Sequence, residues 1–243
     1  KDEEREYFFL GVVKNKFKSY FIIHLLIKTP LPIFLFLILG FILIRKITLA
    51  DLFIFSFITL LLFGLTFLSQ LLIGYRHIIS IYPLMFVLSS KILSNNINLK
   101  RYWKIIIIIL AGWYLLSSLF IFPHYLAYFN EFIGGPKNGY KYTVDSNLDW
   151  EQDLDLVKKY IKNSDGPIMV DPKCQFIDGK IVIPTITGKV LIPANSLQFQ
   201  QMLCYEELKK RFEPVGHIGY SWLLYDIRGK LETNESGTVF KKE

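Results

Sequence analysis

The chain has 243 residues, 52% hydrophobic and 16% aromatic, with a mean hydropathy of +0.34. That excess of apolar side chains excludes a disordered chain and surpasses an ordinary water-soluble domain, so part of the sequence reads as membrane-embedded. The formal charge of +7 lies in the first half: residues 1–123 carry 13 Lys and Arg against 5 Asp and Glu, residues 124–243 carry 15 against 16. The basic residues flank apolar runs instead of forming one patch, which speaks for membrane boundaries and against nucleic acid as a partner.

Residues 1–19 are polar and read as an extracytoplasmic loop. Lys1 is not a start residue and no signal peptide precedes it, so the chain reads as a fragment with targeting information upstream. Tyr20–Ile44 contains one formal charge, Lys28, and two prolines, Pro30 and Pro32, which remove backbone donors and break a helix. This predicts a short interfacial helix over Tyr20–Ile27 and a membrane helix over Pro32–Ile44. Further apolar runs predict helices over Leu52–Ile73, Ile78–Leu93 and Ile105–Phe122.

Orientation follows from charge. Arg45–Lys46 and the stretch from Lys91 to Lys104 hold six basic residues, which puts these loops on the cytoplasmic side. With four crossings, the segment GYRHIISIYP (Gly74–Pro83) and everything after Pro123 lie on the opposite face. An Arg and a His beside the hydrocarbon are costly, and such residues face a partner, a cavity or an anionic ligand. Arg76, His77 and Lys28 are therefore candidate ligands for a lipid phosphate, Arg76 as a charge-assisted fork and His77 as a second donor. The competing explanation is snorkelling to the interface, or for Arg76 an ion pair with Glu131. Tyr82, Asn130 and Glu131, at the outer rim, are candidate contacts for a sugar or acceptor.

From residue 134 the texture changes to turns and short β-like runs. Residues 20–133 are thus a transmembrane helical domain, 134–230 a small extracytoplasmic α/β domain, and 231–243 a flexible polar tail. Asp149 or Asn147 caps a helix through Lys162 with a buried stripe of Leu154, Val157 and Ile161. Strands are predicted over Ile168–Val170, Lys180–Ile183, Lys189–Ile192 and Ile218–Ile227, and a helix over Gln200–Phe212. Asp145, Asp149 and Trp150 form a further constellation. Two carboxylates four apart suit a divalent cation or general-base activation of a hydroxyl, while helix capping by Asp149 and turn formation by Asp145 explain them more simply. Asp153-Leu154-Asp155 mimics a metal-binding DxD, but residues two apart on a helix do not share a face, so it reads as solvated surface. No spacing of His or Cys suggests a resident metal. Cys174 and Cys204 pair only if their compartment is oxidising.

Several segments together resemble the C-terminal half of bacterial and archaeal lipid-carrier-dependent glycosyltransferases, the family 39 and protein-mannosyltransferase-like members of the GT-C superfamily. The segments are EYFFLG (Glu6–Gly11), YFIIHLLIKTPLP (Tyr20–Pro32), GYRHIISIYP, YLAYFNEFIGGPKNGYKYTVDSNLDWEQDL (Tyr125–Leu154) and GHIGYSWLLYDI (Gly216–Ile227). The resemblance implies an integral protein of the prokaryotic inner membrane. It implies transfer of a sugar from a polyprenyl-phosphate carrier to a protein or glycan acceptor on the non-cytoplasmic face. It also implies a catalytic carboxylate in a loop upstream of Lys1, so no catalytic residue is assigned in this chain. Where the family often reads DWGQD, this chain has Glu151 in place of glycine, which is expected to sit at a helix start. The rival readings are a non-catalytic membrane anchor with an extracytoplasmic interaction domain, and a transporter subunit. The latter expects ionisable residues deep in several helices, and Leu52–Ile73 and Ile105–Phe122 contain none.

Overall fold

Proline and capping chemistry decide where the apolar runs become helices. The computed structural model describes residues 6–43, 47–67, 72, 74–93, 99–172, 175–177, 180–182, 186–200, 202–234 and 237–241. The chain divides into two units, Asn15–Asn138 and Lys1–Lys14 with Gly139–Glu243.

The Asn15–Asn138 unit is helical: α1 (Tyr20–Lys28), α2 (Leu31–Leu43), α3 (Leu49–Phe67), α4 (Ile81–Ser90) and α5 (Arg101–Ile121). Helices α1 and α2 meet at a bend of 97° at Thr29–Pro30, as the prolines predict. Helix α3 begins earlier than expected because Thr48 and Asp51 form a reciprocal capping box. The Asp51 carboxylate accepts from Thr48 N at 2.8 Å, and Thr48 Oγ1 accepts from Asp51 N at 3.3 Å. Helix α4 is shorter than the expected Ile78–Leu93, and 3-10 turns at Tyr75–Ile78 and Lys91–Leu93 flank it.

Helices α3 and α5 are long and apolar enough to cross a membrane, and the bent α1–α2 pair makes a third if counted as one span. On α3, Phe53, Phe55, Leu60 and Phe63 are each more than half exposed, an apolar face that suits lipid rather than water. Thr59 on α3 donates to Phe55 O and Ser89 on α4 to Met85 O, each at 2.8 Å and within its own helix. Helices α2 and α5 pack through Leu39, Leu110 and Ile92, with Phe36, Trp103 and Trp113 around them.

The other unit combines a hairpin of β1 (Tyr7–Phe9) and β2 (Val12–Lys14) with the C-terminal α/β elements. Leu10 and Gly11, both at positive φ, make its tight turn, and Leu10 N donates to Tyr142 O at 2.8 Å. Helix α6 (Leu154–Lys162) precedes β3 (Ile168–Val170), a hairpin of β4 (Gln175–Ile177) and β5 (Lys180–Val182), and β6 (Ile186–Pro193). Then come α7 (Met202–Arg211), β7 (Gly216–Ile218), β8 (Trp222–Asn234) and β9 (Gly237–Lys241). The sheet order is β3-β6-β8-β7 with β9 on β8; β3 and β6 run parallel and the other pairs antiparallel.

Three expectations change. The α6 stripe runs Leu154, Val157 and Tyr160 against Leu191 and Trp222, and Ile161 is partly exposed. The run Ile218–Ile227 is two strands, because Gly219 and Tyr220 at φ +59° and +70° reverse the chain. Part of the expected flexible tail is ladder: Leu231 pairs Phe240 and Glu232 pairs Val239. The pairing of Cys174 with Cys204 lies outside the described side chains.

Gly219 packs where no side chain fits. A Cβ there would fall 1.9 Å from the Asp153 carboxyl carbon, in a left-handed conformation that glycine alone adopts freely. Gly219→Ala is expected to destabilise this unit by roughly 2–4 kcal/mol, read as loss of thermal stability of the purified chain in detergent. Unchanged melting would contradict the packing described.

Candidate functional site

Breaking a helix in an apolar medium leaves carbonyls that need donors, and the residues that supply them organise the first group of candidates. Asn130 is fully buried. Its backbone N donates to Ile27 O at 2.9 Å, and its side-chain Nδ2 donates to Leu26 O at 2.6 Å and Thr29 O at 2.9 Å. Its Oδ1 accepts from Phe132 N at 3.2 Å. Expected at the rim as a sugar contact, Asn130 instead closes the end of α1. Lys28 is also interior: Nζ donates to Leu126 O at 2.7 Å and lies 4.3 Å from the Phe129 ring centroid. The Tyr82 hydroxyl shares a hydrogen bond of 2.6 Å with Thr29 Oγ1, and the Tyr82 ring meets Tyr75 edge-on at 5.8 Å.

Arg76 and His77 lie on the 3-10 turn Tyr75–Ile78, and both are exposed. The His77 ring stands edge-on to Phe21 of α1 at 6.2 Å, and Ile78 beside it is fully buried, so the turn is anchored against α1. Glu131, also exposed, accepts from Trp113 Nε1 at 3.0 Å and Ser117 Oγ at 3.4 Å, which commits its carboxylate to α5.

The sequence did not signal the cleft beside this turn. An apolar cavity of about 990 Å³ is lined by α1, α2, α3 and α4, with Leu25 and Ile81 near the Arg76–His77 turn, Phe34 and Met85 along its walls, and Ile47 and Asp51 at the start of α3. Hydrophobic periodicity cannot separate a residue facing lipid from one facing such a groove, since both are apolar.

The second group belongs to the other unit. Asp145 adopts φ +58°, donates its backbone N–H to Asn195 Oδ1 at 2.6 Å, and accepts from Leu148 N and Asp149 N at 2.9 Å each. The Asp149 side chain accepts from Glu151 N at 2.8 Å. Burial, with Asp153 and Glu151 nearby, holds its carboxyl above the usual carboxylate range against that hydrogen bond. Trp150 is 59% exposed, yet its indole is fixed by a bond of 3.0 Å from Nε1 to Ser146 O.

Glu151 is not on a helix. It adopts φ +62°, a conformation that favours glycine, and α6 starts only at Leu154. Asp153 is buried, not solvated, and accepts from Ser221 Oγ at 2.6 Å. Asp155 is exposed and pairs with Lys158 at 3.1 Å, so the apparent DxD is one structural carboxylate and one surface carboxylate. Among the described residues no three His, Cys, Asp or Glu side chains converge as a metal site.

No protein-family model, curated protein or solved structure matches the chain.

Two outcomes are expected from this geometry. Asn130→Ala orphans buried carbonyls at the end of α1 and should cost about 2–3 kcal/mol, measured by thermal unfolding in detergent. For Asp149 the folded state favours the protonated form. Its stabilising share is complete below the unfolded carboxylate pKa of about 3.9 and is lost as pH rises through the raised folded value. Asp149→Asn keeps an acceptor for Glu151 N, so the variant should gain in melting temperature relative to wild type at pH 7 and lose that advantage near pH 4. A gain independent of pH would refute the assignment.

Proposed function

We propose that this chain forms part of an integral membrane glycosyltransferase that moves a sugar from a polyprenyl-phosphate carrier to an acceptor on the non-cytoplasmic face. The observation that carries the reading is an exposed Arg–His turn three residues before Ile81, which lines an apolar cleft. A lipid phosphate needs both at once: cationic donors for its head and an apolar wall for its chain. In this reading α2, α3, α4 with its flanking turns, and α5 make four crossings of a prokaryotic inner membrane. The basic loops are cytoplasmic and the Arg76 turn is extracytoplasmic.

The chain supplies the leaving-group side of the reaction. The acceptor hydroxyl gives its proton to a carboxylate general base as its oxygen attacks the anomeric carbon, the bond from that carbon to the phosphate oxygen breaks, and the electron pair stays on the phosphate. The Arg76 guanidinium offers two parallel donors to the oxygens on which charge grows, and His77 a further donor. Lys28 stands behind the turn: its Nζ donates to the Leu126 carbonyl and lies 5.8 Å from the Tyr75 ring centroid, bracing the turn from the interior. Tyr82 braces the same turn. Asp145, Asp149 and Trp150 are candidate acceptor contacts, the carboxylates as acceptors for sugar hydroxyls and the fixed indole as an amphipathic face.

The test uses the intact enzyme with a radiolabelled polyprenyl-phosphate sugar, following release of the free carrier phosphate. Arg76→Ala should lower turnover by about 10²–10³-fold at unchanged expression, and Arg76→Lys by less. Turnover near wild type in Arg76→Ala would sink the role.

A further inference from the structure

The cleft does not keep one chemistry along its length. Leu25 and Ile81 line it near the Arg76–His77 turn, whereas Asp51 lines it at the start of α3. Asp51 is 8% exposed. Its carboxylate forms an ion pair with Lys91, at the far end of α4, and accepts from both Thr48 N and Thr48 Oγ1 at 2.8 Å. Lys91 also donates to Thr48 Oγ1 at 3.3 Å, so three side chains close one cluster. At about 1.5 Å per helical residue, the wall from Ile81 to Lys91 runs roughly 15 Å, about half the thickness of a bilayer core.

We infer that Asp51, held in place by Thr48 and Lys91, is the floor of the cleft and sets the length of isoprenoid chain that it holds, an inference that rests on the lipid-carrier reading above. The occupant is the carrier's own chain, because Ile81, three residues beyond the Tyr75–Ile78 turn whose Arg76 suits an anionic head, lines the same cleft as Asp51. Above the floor, each added methylene meets apolar walls. At the floor, a further methylene would press hydrocarbon onto an ion pair and strip water from it without replacing any hydrogen bond. Longer chains leave sideways into the bilayer, where lipid tails match the cleft walls in polarity and nothing more is gained. Since hydrocarbon surrounds the chain in both states, the gain within the cleft is packing rather than escape from water. Affinity should therefore rise by roughly tenfold over a series of lengthening chains and then level off.

The experiment is displacement of a fluorescent polyprenyl phosphate from the full chain in nanodiscs by polyprenyl phosphates of graded length, with the matching polyprenols as controls. Wild type should show a length at which affinity levels off. The double variant Asp51→Leu with Lys91→Met removes both charges together and should move that length upward. Ser56→Phe, which fills the cleft partway, should move it downward, and opposite shifts cannot come from simple loss of folding. Phosphate-dependent binding whose levelling length moves in neither variant overturns the floor and leaves the carrier reading standing. Binding that ignores the phosphate, or no binding at any length, overturns the carrier reading and this inference with it.

Discussion

The helical unit depends on how the end of α1 keeps its hydrogen bonds. The chain turns through 97° between α1 and α2, and such a bend releases carbonyls that no following turn of helix can satisfy. In an apolar medium each unsatisfied group costs several kcal/mol, so partners must come from elsewhere in the protein. Thr29 N takes Leu25 O at 3.2 Å, and Asn130 takes Leu26 O, Ile27 O and Thr29 O with one side chain and one backbone N–H. A residue about one hundred positions away thereby holds the break together, and the loop after α5 is ordered against α1 by the same bonds.

That arrangement gives the interior amine of Lys28 its partners. Lys28 is the last residue of α1, and its ammonium reaches the Leu126 carbonyl of the same loop while lying over Phe129. A cation bonded to a carbonyl and an aromatic face keeps part of the solvation it would have in water. Arg76 and His77 differ: their turn is pinned by buried Ile78 and by Phe21, but their side chains remain exposed. The helical unit thus holds Lys28 in its interior and presents Arg76 and His77 at its surface.

The other unit uses a buried carboxylate in the architectural role. Asp153 stands before the first turn of α6 and receives the Ser221 hydroxyl, which joins the helix to the turn between β7 and β8. Gly219 is the complement of that carboxylate, since a side chain there would occupy its space. The neighbouring Asp145-to-Gln152 loop carries positive φ at both Asp145 and Glu151 and leaves Trp150 exposed. The indole is held at the surface by its bond to Ser146 O and does not enter the core.

Reading the residues alone determined what local chemistry determines: the apolar runs of α2, α3 and α5, the break at Pro30, the strands β3 and β6, and the turn cluster before the α/β elements. These depend on period, proline and composition, which act over a few residues. The tertiary structure decided what depends on partners distant in sequence. Asn130 and Asp153 look like surface polar residues in isolation, and only Leu26, Thr29 and Ser221 make them interior. Asp51 looks like a boundary charge, and only Thr48 and Lys91 make it a cap and an ion pair. The cleft was invisible for a related reason. Its walls are as apolar as the lipid-facing surface, so composition reports hydrophobicity while packing alone decides whether a helix face meets lipid, another helix or an open groove.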